Sequence, residues 1–82
     1  MRVWLVERDY EHESMVKLVY ATPDGERALV QQRSTRMLIE GNVTAAIEVE
    51  TDRLEPVGET DRERYATEAA RMRERHDPDD EV

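Results

Sequence analysis

The feature that most constrains this fold is a turn signal, Pro23-Asp24-Gly25, set between two runs of strand-forming residues. The first run covers residues 14–22 and the second covers residues 26–33. Proline presets the backbone of the first turn position, aspartate suits the second, and glycine can adopt the left-handed conformation. Two strand-like runs around such a triplet predict a β-hairpin closed by a three-residue loop.

The length of this loop fixes the register of the hairpin. A three-residue loop places Thr22 opposite Glu26 and Leu18 opposite Val30, so that one face of the hairpin is nearly all apolar. The reverse face is mixed, because arginines and a lysine share it with several apolar side chains. Those apolar residues include Met15, Val19 and Leu29.

Two other segments have strand character. Within residues 2–8, apolar side chains occur at both odd and even positions, which point to opposite faces of a strand. This pattern predicts a strand that is covered on both faces. Residues 43–49 alternate between apolar and polar side chains, which predicts a half-buried strand that continues to about Leu54. Residues 34–42 allow either a short helix that ends at Gly41 or an extended strand, and we favour the helix or turn.

The C-terminal third of the chain predicts a helix. Residues 60–63 match a capping box, in which the Thr60 hydroxyl and the Glu63 carboxylate bind free amide groups at a helix start. Arginines in the last turn complement the helix dipole. An apolar stripe along one side of the helix would pack against a sheet. The stripe consists of Tyr65, Ala69 and Met72, with Ala66 and Ala70 beside it.

These elements predict an α+β fold, with an antiparallel sheet of about four strands and one C-terminal helix on one face. Residues 1–76 form the single domain, and residues 77–82 form an acidic, disordered tail. One helix covers only one face of such a sheet, so we expect a second copy of the chain to cover the other. The predicted homodimer face contains Met15, Val19 and Leu29, with Arg27 and Arg33 at its rim.

Length and composition exclude several classes of protein. A chain of 82 residues is too short for a multidomain enzyme. It has no cysteine, which excludes disulfides, thiolate zinc sites and thiol nucleophiles. No segment has the length and hydrophobicity of a membrane span or the pattern of a signal peptide, so we expect a cytoplasmic protein.

The charge balance points to an environment rather than to a reaction. Twenty acidic residues stand against twelve basic ones, for a net charge of −8, and Lys17 is the only lysine. Abundant carboxylates, scarce lysine and no phenylalanine resemble the cytosolic proteins of salt-accumulating archaea. Concentrated salt screens the repulsion within such a chain. The chain thus resembles an uncharacterised small acidic protein of the halophilic-archaeal type, and it matches the motif of no characterised family.

Two clusters could carry chemistry. Glu11, His12 and Glu13 lie in an acidic segment that could hold a divalent cation, although their spacing matches no known metal loop and a solvated loop explains them equally well. We therefore expect no metal and no cofactor. The second cluster is basic and could bind an anion or a protein partner, or could pair with the protein's own acids. It contains Arg33, Ser34 and Arg36, with Arg27 nearby.

The sequence favours a non-enzymatic function. It has only two histidines, its glycines are isolated, and it lacks the motif of a serine nucleophile. A net charge of −8 argues against nucleic-acid binding. We predict a small cytosolic module for protein interaction or regulation that acts as a homodimer. The alternative is a protein that binds a small ligand, an anion or a divalent metal through residues 7–13 or through Arg33 and Arg36.

Overall fold

The computed structural model of the chain describes residues 1–12, 14–34 and 43–82. Within these ranges the chain forms five strands, one turn of 3₁₀ helix at Thr51–Arg53, and one α-helix. The strands are β1 (Arg2–His12), β2 (Met15–Ala21), β3 (Arg27–Ser34), β4 (Ala46–Glu48) and β5 (Glu55–Pro56). The helix, α1, spans Glu59–Arg75.

The strands form one antiparallel sheet in the order β4-β1-β2-β3-β5, and α1 packs on one face of it. The α+β class and the C-terminal helix are therefore confirmed. The sheet has five strands rather than about four, because the short β5 pairs with the start of β3 at Arg27 and Ala28. The predicted strand at residues 43–54 is also shorter, since only Ala46–Glu48 pair with β1 and the 3₁₀ turn follows.

β1 is longer than predicted, because it continues through the acidic segment to His12. Main-chain pairing with β2 outweighs the polar composition of this segment. The pairing is interrupted by a β-bulge between Leu5 and Glu7 and by a second irregularity between Tyr10 and His12. A bulge adds one unpaired residue and moves the side chains that follow it to the opposite face.

The hairpin of β2 and β3 is closed by four residues rather than three. The amide of Gly25 donates to the Thr22 carbonyl oxygen at 2.8 Å, and the amide of Thr22 donates to the Arg27 carbonyl oxygen at 2.9 Å. The Thr22 hydroxyl accepts the amide of Arg27 at 3.2 Å, and the Asp24 carboxylate accepts the amide of Glu26 at 3.0 Å. Thr22 is therefore opposite Arg27, and the predicted register is wrong by one residue.

This shift separates the residues of the predicted dimer face. Leu29 is paired with Tyr20, whereas Val19 is paired with Val30, so Val19 and Leu29 lie on opposite faces of the sheet. Val19 is 2% exposed and Leu29 is 8% exposed, and Met15 is half-buried. These three residues do not form a shared surface, and the homodimer remains a prediction without a described interface.

Both faces of the sheet are apolar at its centre. On the helix face, Ala69 of α1 is fully buried in a cluster with Trp4, Ala45 and Ala46, and Tyr65 packs against a second cluster around Val19. The predicted stripe of Tyr65, Ala69 and Met72 is thus confirmed, whereas Ala70 beside it is exposed. The core of the opposite face consists of Val3, Leu5, Val16, Leu18, Tyr20, Leu29, Val49 and Leu54.

The helix begins at Glu59, one residue before the predicted cap. Gly58 is the N-cap residue, with extended backbone dihedrals and no side-chain capping bond. Thr60 lies inside the first turn, where its hydroxyl cannot act as the cap that the sequence predicts. Acidic residues in the first turn and arginines in the last turn still complement the helix dipole.

Residues 77–82, which we expected to be a disordered tail, lie along residues 43–46 and are called the C-terminal strap below. The amides of Ala45 and Ala46 donate to the carbonyl oxygens of Asp80 and Pro78 at 2.8 and 2.9 Å. The amide of Val82 donates to the Val43 carbonyl oxygen at 2.9 Å. The side chain of Val82 packs against the core clusters of both faces, so main-chain pairing and apolar contact together hold the strap.

Replacement of Gly25 tests how tightly the hairpin packs on the helix. Gly25 has a φ of +74°, and a Cβ there would overlap the Arg62 carbonyl oxygen and lie 2.8 Å from the amide nitrogen of Ala66. We expect Gly25→Ala to lower the free energy of unfolding by about 2 kcal/mol or more, because backbone strain and overlap with α1 add. Urea denaturation in molar KCl measures this change.

Gly58→Ala is the matched control. A Cβ at Gly58 meets no atom within 4 Å, and its backbone is extended. The loss of unfolded-state entropy and the weaker N-cap act in opposite directions, so the control should change stability by less than about 1 kcal/mol. Equal losses in both variants would contradict the close packing of the hairpin on α1.

Candidate functional site

The two faces of the β1–β3 sheet differ in charge. On the face away from α1, every ionisable side chain described in these three strands belongs to an arginine or a tyrosine. These residues are Arg8, Tyr10, Tyr20, Arg27 and Arg33. The described carboxylates and the lysine of the same strands lie on the helix face, where Glu7 is paired with Val19 and Asp9 with Lys17. We call the first of these the arginine face; its centre is the buried core described above, and Arg8, Tyr10 and Arg33 lie toward its outer end.

The bulge between Leu5 and Glu7 produces this separation. In an uninterrupted strand, Glu7 would share a face with Val3 and Leu5, and Arg8 would lie on the helix face. The extra residue places Arg8 opposite Leu18 and Glu7 opposite Val19. A positive group therefore joins the arginine face and a negative group leaves it.

The positive charges of Arg8 and Arg33 both act on the buried side chain of Tyr20. Arg8 and Arg33 lie on the two strands that flank β2, which separates these strands by about 10 Å. Burial raises the pKa of Tyr20, and the positive charges of Arg33 and Arg8 partly oppose this increase. Since the folded chain holds the Tyr20 proton more tightly than the unfolded chain, its stability falls as pH rises above 10.0, the ordinary pKa.

The guanidinium groups of this cluster are oriented by a main-chain oxygen and a side-chain amide oxygen. Arg8 Nη2 donates to the main-chain oxygen of Val82 at 3.0 Å, and Arg33 Nη2 donates to Gln31 Oε1 at 3.1 Å. Among the described residues, no carboxylate side chain lies within ion-pair distance of either arginine. Tyr10, in the outermost row of this face, is 62% exposed. The cluster offers cationic donors beside an exposed aromatic ring, which suits a carboxylate-bearing ligand.

The structure brings together only part of the basic cluster predicted from the sequence. Arg33 belongs to the cluster, but Arg27 lies at the other end of β3, about 20 Å away along the strand. Ser34 is paired with Met15 and lies on the helix face. Arg36 lies outside the described residues. Sequence reasoning missed Arg8, because only the bulge and the hairpin register place it beside Arg33.

The acidic segment at residues 7–13 is partly used to hold α1 on the sheet. Arg64 Nη1 binds Glu7 Oε1 at 2.7 Å, and its Nη2 binds Asp61 Oδ1 at 3.1 Å. Lys17 Nζ lies 4.0 Å from the other Glu7 oxygen, and the Arg64 guanidinium lies over the ring of Tyr65, 4.9 Å from its centre. The hydrogen bonds that Arg64 donates to Glu7 and Asp61 raise the pKa of Arg64. Glu7 therefore has a structural role.

The predicted metal candidates cannot be placed in a site. Glu13 and the side chains of Glu11 and His12 lie outside the described residues. In the part of the chain that the structure describes, no group of three or more histidine, cysteine or acidic side chains could hold a metal ion. Metal binding by Glu11, His12 and Glu13 thus stays an alternative that has not been tested.

Within the described ranges, no helix combines the length and apolar character needed to cross a membrane.

The titration of Tyr20 tests the position of Arg33. We expect Arg33→Gln to raise the pKa of Tyr20 further, because it removes a positive charge that stabilises the tyrosinate. Tyrosinate absorbance at alkaline pH measures the change in a background with Tyr10→Phe and Tyr65→Phe. Arg53→Gln, with the same change of charge on the exposed 3₁₀ turn, is the control. An equal shift in both variants would place Arg33 too far from Tyr20 to matter.

Comparison with known proteins gives a family but no function. Neither a curated protein nor a solved structure matches the chain. A family model described as a family of unknown function, DUF7967, matches residues 1–82. This result agrees with the lack of any motif of a characterised family in the sequence. Because the match covers the full sequence given, the chain belongs to this family of unknown function.

Proposed function

We propose that this protein is a non-enzymatic interaction or regulatory module that binds an acidic segment of a partner protein through its arginine face. The observation that supports this proposal is the separation of charge between the two sheet faces. A protein with a net charge of −8 has only cationic and phenolic groups among the described ionisable side chains on one face of β1–β3. Arg8, Tyr10 and Arg33 are the residues that we assign to partner binding.

The composition supports a concentrated-salt cytosol as the environment of this module. In molar salt the Debye length is only about 3 Å, so long-range attraction between a basic patch and an acidic partner is largely screened. Salt screens direct contacts between oppositely charged groups less than it screens this long-range attraction. Arginine is well suited to them, because its planar guanidinium group binds a carboxylate through two parallel hydrogen bonds.

An acidic protein segment fits these conditions better than a nucleic acid. Affinity that depends on phosphate contacts falls steeply with salt, and the net charge of −8 repels a polyanion over the rest of the surface. A short acidic segment needs only the local cluster of Arg8 and Arg33. The exposed ring of Tyr10 adds apolar contact that salt does not screen.

The homodimer remains part of the proposal, although the structure describes no interface for it. The surface first predicted for it is divided between two buried faces, so dimerisation would have to use other residues. Light scattering in molar KCl distinguishes a monomer from a homodimer directly. A monomer at micromolar concentration would remove the dimer from the proposal and leave the arginine face unaffected.

Titration with a fluorescent acidic peptide, of alternating Glu and Asp, tests the arginine face. In molar KCl we expect Arg8→Gln with Arg33→Gln to weaken binding about tenfold or more, because two charge-assisted contacts are lost. The control is Arg73→Gln with Arg75→Gln, which makes the same change of charge at two exposed positions of α1, the helix that packs on the other face of the sheet. Fluorescence anisotropy measures the dissociation constant.

Two results of this titration would overturn the proposal. If the wild-type chain does not bind the peptide in molar KCl, the arginine face is not a site for acidic segments under these conditions. If both double variants weaken binding equally, only net charge matters and the cluster has no specific role. Circular dichroism of each variant shows whether the fold is retained.

A further inference from the structure

The C-terminal strap is held on residues 43–46 by several main-chain hydrogen bonds, although it is strongly acidic. It carries four of the twenty acidic residues and no basic residue, and thus half of the net charge of −8. It lies on a body that is itself negative. Its four carboxylates belong to Asp77, Asp79, Asp80 and Glu81.

These carboxylates are not neutralised by the body of the protein. Among the described residues, no arginine or lysine lies within ion-pair distance of any of them, and their one ionisable neighbour at that distance is His76, whose Nδ1 lies 3.8 Å from Asp80 Oδ2. Arg8 binds a main-chain oxygen of Val82 rather than a carboxylate side chain. Arg2, which lines a shallow depression together with Asp79, is bound to Glu48 at 2.9 Å.

The forces that hold the strap differ in their response to salt. Main-chain hydrogen bonds to residues 43–46 and the packing of Val82 change little with ionic strength. The repulsion between the strap and the negative body is long-ranged, and its range grows from about 3 Å in 1 M salt to about 30 Å in 0.01 M salt. The one described contact between strap and sheet that strengthens in dilute salt joins the Arg8 guanidinium to the Val82 main-chain oxygen, and it opposes the repulsion of four carboxylates. Docking therefore loses stability as salt is removed.

We propose that the C-terminal strap is a salt-operated latch, docked on residues 43–46 in concentrated salt and released in dilute salt while β1, β2, β3 and α1 remain folded. Release uncovers the amides of Ala45 and Ala46 and the apolar cluster that contains Trp4. It also frees Arg8 from Val82. The consequence for partner binding rests on the proposed function, but the latch itself does not.

Amide hydrogen exchange of the full chain tests the latch residue by residue. Between about 2 M and about 0.05 M KCl, we expect exchange at Ala45 and Ala46 to become about tenfold faster relative to the amides that pair β2 with β3. Acrylamide quenching of Trp4, the only tryptophan, should increase over the same range. Equal acceleration at all amides would mean global unfolding and would overturn the latch, as would the absence of any salt effect at Ala45 and Ala46.

Charge-neutral variants show whether the strap carboxylates are responsible. Asp79 and Glu81 are exposed, so Asp79→Asn with Glu81→Gln should preserve the docking contacts and suppress most of the acceleration in dilute salt. Glu50→Gln with Glu55→Gln makes the same charge change on exposed residues outside the strap. If both pairs of substitutions suppress the faster exchange equally, the strap carboxylates are not specifically responsible for it. Because no partner is present in these measurements, a failure of the proposed function leaves their result unchanged.

Discussion

The β-bulge between Leu5 and Glu7 determines how charge is distributed over this small sheet. It lets one strand supply Val3 and Leu5 to one apolar core and then place Arg8, rather than Glu7, on that same face. Glu7 is directed to the helix side, where it binds Arg64 and fixes α1. One inserted residue therefore serves both the helix–sheet contact and the arginine face. An uninterrupted strand would bring Glu7 beside the apolar core and leave Arg64 without this partner.

The second constraint is the hairpin loop, which shows the limit of reading register from sequence. Residues 23–25 correctly predict a turn between two strands, because Pro, Asp and Gly each favour a turn position. The loop length depends on Thr22, whose hydroxyl and carbonyl oxygens accept the amides of Arg27 and Gly25. The assumed three-residue loop led to the wrong pairing, and alternation did not correct it, since Leu29 and Val30 are both apolar. The predicted dimer surface was derived from that register.

Other features were predictable for clear physical reasons. The strongly amphipathic residues 65–72 identify the helix face correctly, because Ala69 permits close contact with the sheet. Residues 3–6 are apolar at both odd and even positions, and this pattern correctly predicts a strand buried on both faces. In contrast, the C-terminal strap looks disordered in sequence because its side chains are acidic. It is ordered by main-chain bonds to residues 43–46, and side-chain composition does not report such bonds.

The net charge of −8 thus has different consequences in different parts of the molecule. On the helix face, Glu7 and Asp61 share Arg64, and this ion pair holds two elements together. On the strap, four carboxylates have no described arginine or lysine partner, and this excess of negative charge is the basis of the proposed salt-dependent docking. On the arginine face, described carboxylates are absent from the β1–β3 strands, and this separation of charge is the basis of the proposed binding of an acidic segment. The same net charge therefore has a structural role at Arg64, whereas on the β1–β3 strands the positions of individual arginines separate the two faces by charge.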